Sequence, residues 1–456
     1  MMNVLLVRPK SLNIIANVDV INLEPLDLEY LYTVALEEKV PCEIFDALFD
    51  HRKLENVLSA FRPDIVVIGG YITQEALMLD YAGRVKKYNP SVQVIVGGVH
   101  AQVNYERFFI DAIDVIIHSC SLEPFRRLLR LGIPFQGQES KLAEIDGICF
   151  KKENHWIVNR RLPINPDDLP IPDRSHFNRH KHLYRYLRYS PCAIVKTAFS
   201  CPYQCSFCYC RKINDGKYAA RKIELVVAEI EGLECENVHI VDDTFLLDRE
   251  RVKRFIALLK EKNIRKNYVF YSRADFIVEN SDLIRELRDI GTEGIIVGLE
   301  AINDQALNSY KKQSSEDVNE KCVRILQECN IDCLALFIID IAAVKEDFAR
   351  LHHWIKRMKL KYASVSIFTP IPGTALFDEY KDRLITAQMQ HWDFLHLVLE
   401  PTNMSRKAFY LEYYKLFLRL TILGKRSGVY DFVDMEYIRK TAKRFFANLM
   451  QAVSRQ

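Results

Sequence analysis

The chain has 456 residues, 49% of them hydrophobic, with 63 lysines and arginines against 60 acidic residues, a net charge of +3. Such a chain can bury a sizeable core in more than one domain, which excludes a disordered tail and the small secreted scaffolds that depend on disulfides. Nearly balanced charge gives no general reason to expect a nucleic acid partner.

The start, "MMNVLLVRPK", has only a brief apolar run and no small-residue cleavage site after it. The longest apolar stretch, "CLALFIIDIAA", is broken by Asp340, so no transmembrane segment is expected and the setting reads as cytoplasmic. "NVLLV" at 3–7, "CEIFDA", "PDIVVIGG", "VQVIVGG" and "IDVIIH" are short apolar runs bounded by Pro and Gly. Between them "DLEYLYTVALEE", "EALMLDYAGRVKKYNP" and "EPFRRLLRLG" carry helical patterns. Alternating strands and helices make an α/β fold, so residues 1–136 read as a doubly wound, Rossmann-like parallel-sheet domain. Ligands are expected at the carboxyl ends of its strands.

Residues 137–190 read as a linker with a small hairpin in "IDGICFKKENHWIVNRRLPI" and a Pro- and Asp-rich run. Its segment "HFNRHKHLYRYLRYS" is basic and aromatic. Contact with RNA or an acidic substrate is one reading; packing between domains is preferred at this net charge, and no nucleic acid is expected. From 191 to about 380, six strand–helix units follow, the pattern of a partial (βα)6 TIM-type barrel whose active site lies at the carboxyl ends of the strands. Residues 381–456 read as a helical tail ending in the basic, amphipathic "YIRKTAKRFFANLMQAVSRQ".

The chemistry concentrates in "FSCPYQCSFCYC", where four of the twelve cysteines stand within ten residues. Disulfides do not suit a chain of this class. A structural zinc site takes two close ligand pairs, and no second pair follows. Iron–sulfur clusters are held by thiolates grouped on one loop, and C-x3-C-x2-C supplies three. A four-iron cube would then keep one iron open. Cys210 stands outside this spacing and is treated as a non-ligand; the scattered cysteines read as small buried hydrophobes.

This motif, with Phe207 before its last cysteine, resembles the signature of the radical S-adenosylmethionine (SAM) superfamily. The resemblance implies a [4Fe-4S] cluster on Cys201, Cys205 and Cys208, whose open iron chelates SAM. Reductive cleavage of SAM then gives a 5′-deoxyadenosyl radical that attacks an unactivated carbon. The electron comes from a donor such as flavodoxin or ferredoxin. By the same resemblance Phe207 stands beside the open iron's ligand and Tyr209 lines the same wall. Asp242 and Asp243 meet the SAM amino group, Ser272 and Arg273 its carboxylate, and Glu300, after Gly298, its ribose. The competing reading of such Asp and Ser residues is a helix cap. The fifth strand lacks the family's Gly-x-Pro turn ("FIIDIAAVKED"), whereas Pro372-Gly373-Thr374 restores it after the sixth.

"RPDIVVIGGYIT" and "NPSVQVIVGGVHAQVNYE" are similar to cobalamin-binding domains. Gly97 and Gly98 match the turn that approaches the cobalamin tail, and Tyr71 to Thr73 fall on a loop that meets the ligand. The D-x-H-x-x-G motif is absent, "HSCS" (His118 to Ser121) replaces an acidic glycine-rich run, and the loop after the first strand has no glycine. In the tail, His396, Pro401 and Thr402 resemble the branch acting on tetrapyrroles and hopanoids. The expected function is cobalamin-dependent C-methylation of a small-molecule or lipid-like substrate. Non-methylating cyclisation, rearrangement or oxidation is the alternative. An RNA-modifying enzyme ranks lower, because Cys42 and Cys120 are too few for a second cluster. A non-catalytic iron–sulfur or cobalamin carrier fits poorly with so many polar strand ends.

Overall fold

The computed structural model describes residues 2–10, 20–161, 163–433 and Arg439. The basic segment expected at the end of the chain lies outside the described residues, apart from Arg439, as does most of the loop after the first strand.

Five parallel strands form the first sheet: β1 (Val4–Arg8), β2 (Cys42–Asp46), β3 (Ile65–Gly69), β4 (Gln93–Gly97) and β5 (Val115–Ile117), in the order β2-β1-β3-β4-β5. Every residue of β3, β4 and β5 is buried, as in parallel strands covered on both faces. The covering helices are α1 (Leu26–Glu37), α2 (Leu54–Phe61), α3 (Glu75–Tyr88), α4 (Val99–Asn104) and α5 (Glu123–Leu131). The hairpin expected in the linker does form, as β6 (Ile148–Lys152) and β7 (His155–Val158). It adds two antiparallel strands to this same sheet, because Ile148, Cys149 and Phe150 have an apolar edge, β5, to cover. The order reverses between β1 and β3, which opens a crevice at their carboxyl ends.

The second sheet is a partial barrel of six parallel strands in sequential order: β8 (Cys192–Val195), β9 (Asn237–Ile240), β10 (Asn267–Ser272), β11 (Thr292–Glu300), β12 (Asp332–Ile339) and β13 (Tyr362–Ile367). Its outer helices include α6 (Ile223–Glu231), α7 (Arg249–Glu261), α8 (Ala274–Glu279), α9 (Ser281–Asp289), α10 (Glu316–Glu328) and α11 (Lys345–Arg357). Side-chain caps start several of them. Asp248 accepts from the amides of Glu250 and Arg251, and Ser315 from that of Val318. Tyr186, Tyr189, Cys192, Val269, Ile296 and Leu334 fill the lower end of the lumen. Towards the carboxyl ends Tyr271, Leu336, Ile338 and Ser366 are only half-buried, so the lumen is closed below and open above.

The connector packs between the two sheets. Arg174 pairs with Glu24 (2.6 Å) and with Glu229 on α6 (2.7 Å), and Arg221 pairs with Glu229 (2.5 Å); all four side chains are almost wholly buried. Tyr184, fully buried, donates to Asp46 at the end of β2 (2.9 Å). Breaking one partner of such a buried pair costs about 3–5 kcal/mol, because the other charge is left uncompensated. This polar layer fixes how the sheets face each other.

The tail is less helical than its pattern suggests. Residues 384–405 run mostly without helix, and only then does α12 (Arg406–Arg426) begin, capped by Ser405. The Asp393 carboxylate accepts from the amides of Leu395 and His396 (3.0 and 3.1 Å), and Pro401 has no N–H to offer a helix. Buried Trp392 donates from Nε1 to the Pro370 carbonyl (2.8 Å), pinning the segment beside the barrel.

Candidate active site

The cysteine loop leaves β8 through a short strand, Ala198–Phe199, paired with Ala219–Ala220. Asp242 fixes its start. Its carboxylate accepts from the amides of Thr197 (2.7 Å) and Ala198 (2.9 Å) and from the Thr197 hydroxyl. Asp242 is 1% exposed and committed to the loop, so it does not face a ligand as the sequence suggested; its role is internal because two free amides at the strand end need an acceptor. Asp243 beside it is half-buried, and its Oδ2 is buried without a hydrogen-bond partner.

The far side of the loop is gripped by the barrel. Ser206 donates its amide to the Tyr310 carbonyl (3.1 Å), and Phe207 packs edge-on against Tyr310 (5.5 Å between centroids). Arg273 lies over the Tyr203 ring, 3.9 Å from its centroid, and approaches the Cys205 sulfur at 3.9 Å. The rest of its fork donates to Asp275 (2.8 Å) and to the carbonyl of Lys312 (2.6 Å). Arg273 is thus already engaged with the loop and its own helix. Ser272 is buried and donates to the Arg273 carbonyl (3.0 Å). Neither side chain is turned towards an open ligand space.

Cys201, Cys205 and Cys208 are half-buried and free of disulfides, as is Cys210. Burial pushes the Cys201 thiol up to about 11 and raises Cys205. The Cys208 thiol is lowered, first by a hydrogen bond from Cys210. Among the described residues no three His, Cys, Asp or Glu side chains converge as a single-ion site requires. Three unpaired thiols on one loop, with an orphaned carboxylate oxygen beside them, fit a cluster that carries an amino-bearing ligand.

Glu300 ends β11 and is 7% exposed. It pairs with Lys312 at 2.8 Å, and its φ of +61° is strained for a residue with a side chain. The pair needs Gly298, where an added Cβ would come 2.9 Å from the Lys312 ammonium. Lys312 escaped the sequence reading because it lies in a loop with no periodicity.

The first sheet presents a different surface. Gly98 has φ +89°, and a Cβ there would lie 2.8 Å from the Gly70 nitrogen and 3.0 Å from its oxygen. The two glycine turns therefore touch backbone to backbone. Gly97 is buried inside β4, while Thr73 is half-buried at the start of the α3 turn. Tyr71 keeps 61% of its surface accessible. Yet its phenol is raised, chiefly by removal from bulk water and then by Asp27. In the barrel, burial raises the phenols of Tyr209 and Tyr271, with smaller contributions from the charges of Asp243 and Tyr71. The two sides adjoin: Arg161 donates to the carbonyl of Gln102, just past the glycine turn, and to that of Lys212, just past the cysteine loop. Backbone at close approach with an aromatic beside it fits a large, flat cofactor.

The Radical SAM superfamily model matches residues 195–355, and the B12 binding domain model matches residues 13–124. The hopanoid C-3 methylase of Methylococcus capsulatus is 23% identical over 407 residues, 87% of this chain and 76% of that protein. The anaerobic magnesium-protoporphyrin IX monomethyl ester cyclase of Cereibacter sphaeroides is 26% identical over 381 residues, 79% of this chain and 61% of that protein. Among solved structures, the cobalamin-dependent S-adenosylmethionine radical enzyme OxsB with aqua-cobalamin and S-adenosylmethionine superposes with a TM-score of 0.73 at 15% identity, covering 99% of this chain and 72% of that one. The radical S-adenosylmethionine methyltransferase TsrM from Kitasatospora setae, with cobalamin and a [4Fe-4S] cluster, gives 0.67 at 17%, covering 93% and 91%.

Proposed function

We propose that this chain, with a Radical SAM domain match at residues 195–355 and a B12 binding domain match at 13–124, is a cobalamin-dependent enzyme that methylates an unactivated carbon of a small-molecule or lipid-like substrate. When bound, the [4Fe-4S] cluster and SAM supply a 5′-deoxyadenosyl radical, and cobalamin supplies the methyl group. Cys201, Cys205 and Cys208 would hold the cluster, with Phe207 wedging the loop against Tyr310. Asp243 offers its free Oδ2 to the SAM ammonium. Glu300, oriented by Lys312, is placed for the ribose. Arg273 is assigned to steadying the loop through Tyr203 rather than to the SAM carboxylate, and Ser272 and Asp242 to holding backbone. The Gly70–Thr73 and Gly97–Gly98 turns would cradle the corrin, with Tyr71 and Tyr209 beside it. In this scheme residues 1–136, widened by the hairpin, serve the corrin, 191–380 the cluster and SAM, 137–190 the junction between them, and the tail from 381 the cover.

One observation carries the reading: Arg161 donates to the carbonyls of Gln102, just past the Gly97–Gly98 turn, and of Lys212, just past the cysteine loop, so the two strand-end regions stand side by side. A methyl carrier and a radical source must reach the same carbon, and adjoining strand ends allow that. Among the described residues no helix is long and apolar enough to cross a membrane. Twelve unpaired cysteines suit a reducing, cytoplasmic setting with a flavodoxin or ferredoxin as donor. The test is anaerobic purification with cobalamin, followed by corrin and iron content and SAM cleavage. A protein with cluster and cleavage but no corrin would sink the methyltransferase half.

The cyclase relative favours a second reading, oxidative ring closure without methyl transfer. Deoxyadenosine formed with no S-adenosylhomocysteine would support it over methylation.

A further inference from the structure

Arg273 follows β10 directly, and its side chain is 7% exposed. Each part of its fork has a separate task. Nε donates to both oxygens of Asp275 (3.1 and 3.0 Å). Nη2 donates to Asp275 (2.8 Å), to the Lys312 carbonyl (2.6 Å) and to the Gln313 carbonyl (3.4 Å). Nη1 donates to the Cys205 sulfur at 3.9 Å. The guanidinium carbon lies 3.9 Å from the centroid of Tyr203, a residue inside the C-x3-C spacing itself. Asp275, two carbonyls and one ring thus fix the plane of the fork, and its remaining corner meets a thiol assigned to the cluster. A lysine could not do this, because one ammonium cannot reach all of these partners at once.

Anchoring the loop would be satisfied by Tyr203 and the two carbonyls, so the bond to Cys205 exceeds that role. Hydrogen bonds to the ligand sulfurs help to set the potential of an iron–sulfur cluster. They favour the reduced form, whose extra electron makes cluster and thiolates more negative, and a charged donor acts more strongly than a neutral one. We infer that Arg273 is a positioning residue of this kind: its N–H bond to the Cys205 sulfur raises the reduction potential of the cluster and eases the electron transfer that precedes SAM cleavage. The inference rests on Cys201, Cys205 and Cys208 as cluster ligands and is independent of the corrin reading. One electron passes from a low-potential donor of the flavodoxin or ferredoxin class to the cluster, the donor is oxidised, and Arg273 keeps its protons throughout. Asp275 limits the effect, since its carboxylate offsets part of the same charge.

The experiment is an anaerobic redox titration of the reconstituted cluster in the full chain without SAM, following the electron paramagnetic resonance signal of the reduced cluster. Wild type is compared with Arg273→Met and Asp275→Asn at equal iron and sulfide content. Arg273→Met should lower the reduced fraction at a fixed potential at least tenfold, a shift of about 59 mV for a one-electron couple. Asp275→Asn removes the offsetting carboxylate and should move the midpoint the opposite way. If Arg273→Met loses its fold, Arg273→Gln drops the charge while keeping an N–H donor, and the same fall is expected. An unchanged midpoint in the charge-removed variants overturns the inference alone, as does a fall in Asp275→Asn equal to that in Arg273→Met, or loss of the cluster from both folded charge-removed variants. A wild-type chain that assembles no cluster overturns the ligand assignment and the inference together.

Discussion

The two sheets have the same βα grammar and opposite chemistry at their strand ends. β3 and β4 of the first sheet run into Gly69-Gly70 and Gly97-Gly98, which meet backbone to backbone. The barrel strands run into Lys196, Asp242-Asp243, Arg273 and Glu300, and all but one of these five are buried or tied to named partners. A large cofactor of low net charge is held by close backbone and aromatic surface, so small residues serve it. A zwitterion beside a cluster needs fixed charges, and fixed charges in a barrel mouth need partners of their own.

The comparison breaks first at the thiols. Cys201, Cys205 and Cys208, each replaced by alanine, should abolish the cluster and SAM cleavage, measured as iron content and deoxyadenosine, while the first sheet still binds corrin. Corrin lost in parallel would mean that the two walls are not independent. Next comes the Glu300–Lys312 pair. Lys312→Met leaves a buried carboxylate alone and should cost about 3–5 kcal/mol in denaturant unfolding; adding Glu300→Gln should restore much of that stability but not SAM affinity.

A third effect lies in the lumen. His239 is 1% exposed, both ring nitrogens lack partners, and burial holds its pKa down at about 3. The unfolded chain takes up this proton near 6.5 and the folded one does not, so stability should fall as pH drops from 6.5 towards 3. His239→Phe should flatten that slope by on the order of 4 kcal/mol, read from unfolding free energies across that range. A smaller effect is expected in the first sheet, where Gly98→Ala forces a Cβ onto the Gly70 backbone at φ +89°. It should cost about 1–3 kcal/mol and weaken corrin binding, with iron content and SAM cleavage unchanged. Loss of the cluster in this variant would contradict the division between the walls.

Much of this architecture was legible before any coordinates. Apolar runs punctuated by Gly and Pro marked the strands of both sheets, because parallel strands buried on two faces are apolar throughout. The C-x3-C-x2-C spacing marked the loop, because thiol spacing along a chain is itself the ligand geometry. The hairpin was legible as a hairpin but not as part of the first sheet, since an edge strand's partner is not written beside it. The tail was over-read as helix because its apolar spacing could not reveal the turn that Asp393 builds or the bond that Trp392 makes to Pro370.

For the site, sequence alone determined which residue types stand at the strand ends: cysteines, acids, an arginine, glycines. Local order along the chain suffices for that, since a strand's carboxyl end is fixed by its own residues. Only the tertiary structure decided what each one faces. It turned Asp242 onto the amides of Thr197 and Ala198, spent Arg273 on Tyr203 and Asp275, paired Glu300 with Lys312, and left one oxygen of Asp243 without a partner. Partners come from distant segments, and competition among them for buried donors and acceptors is settled only when the chain closes.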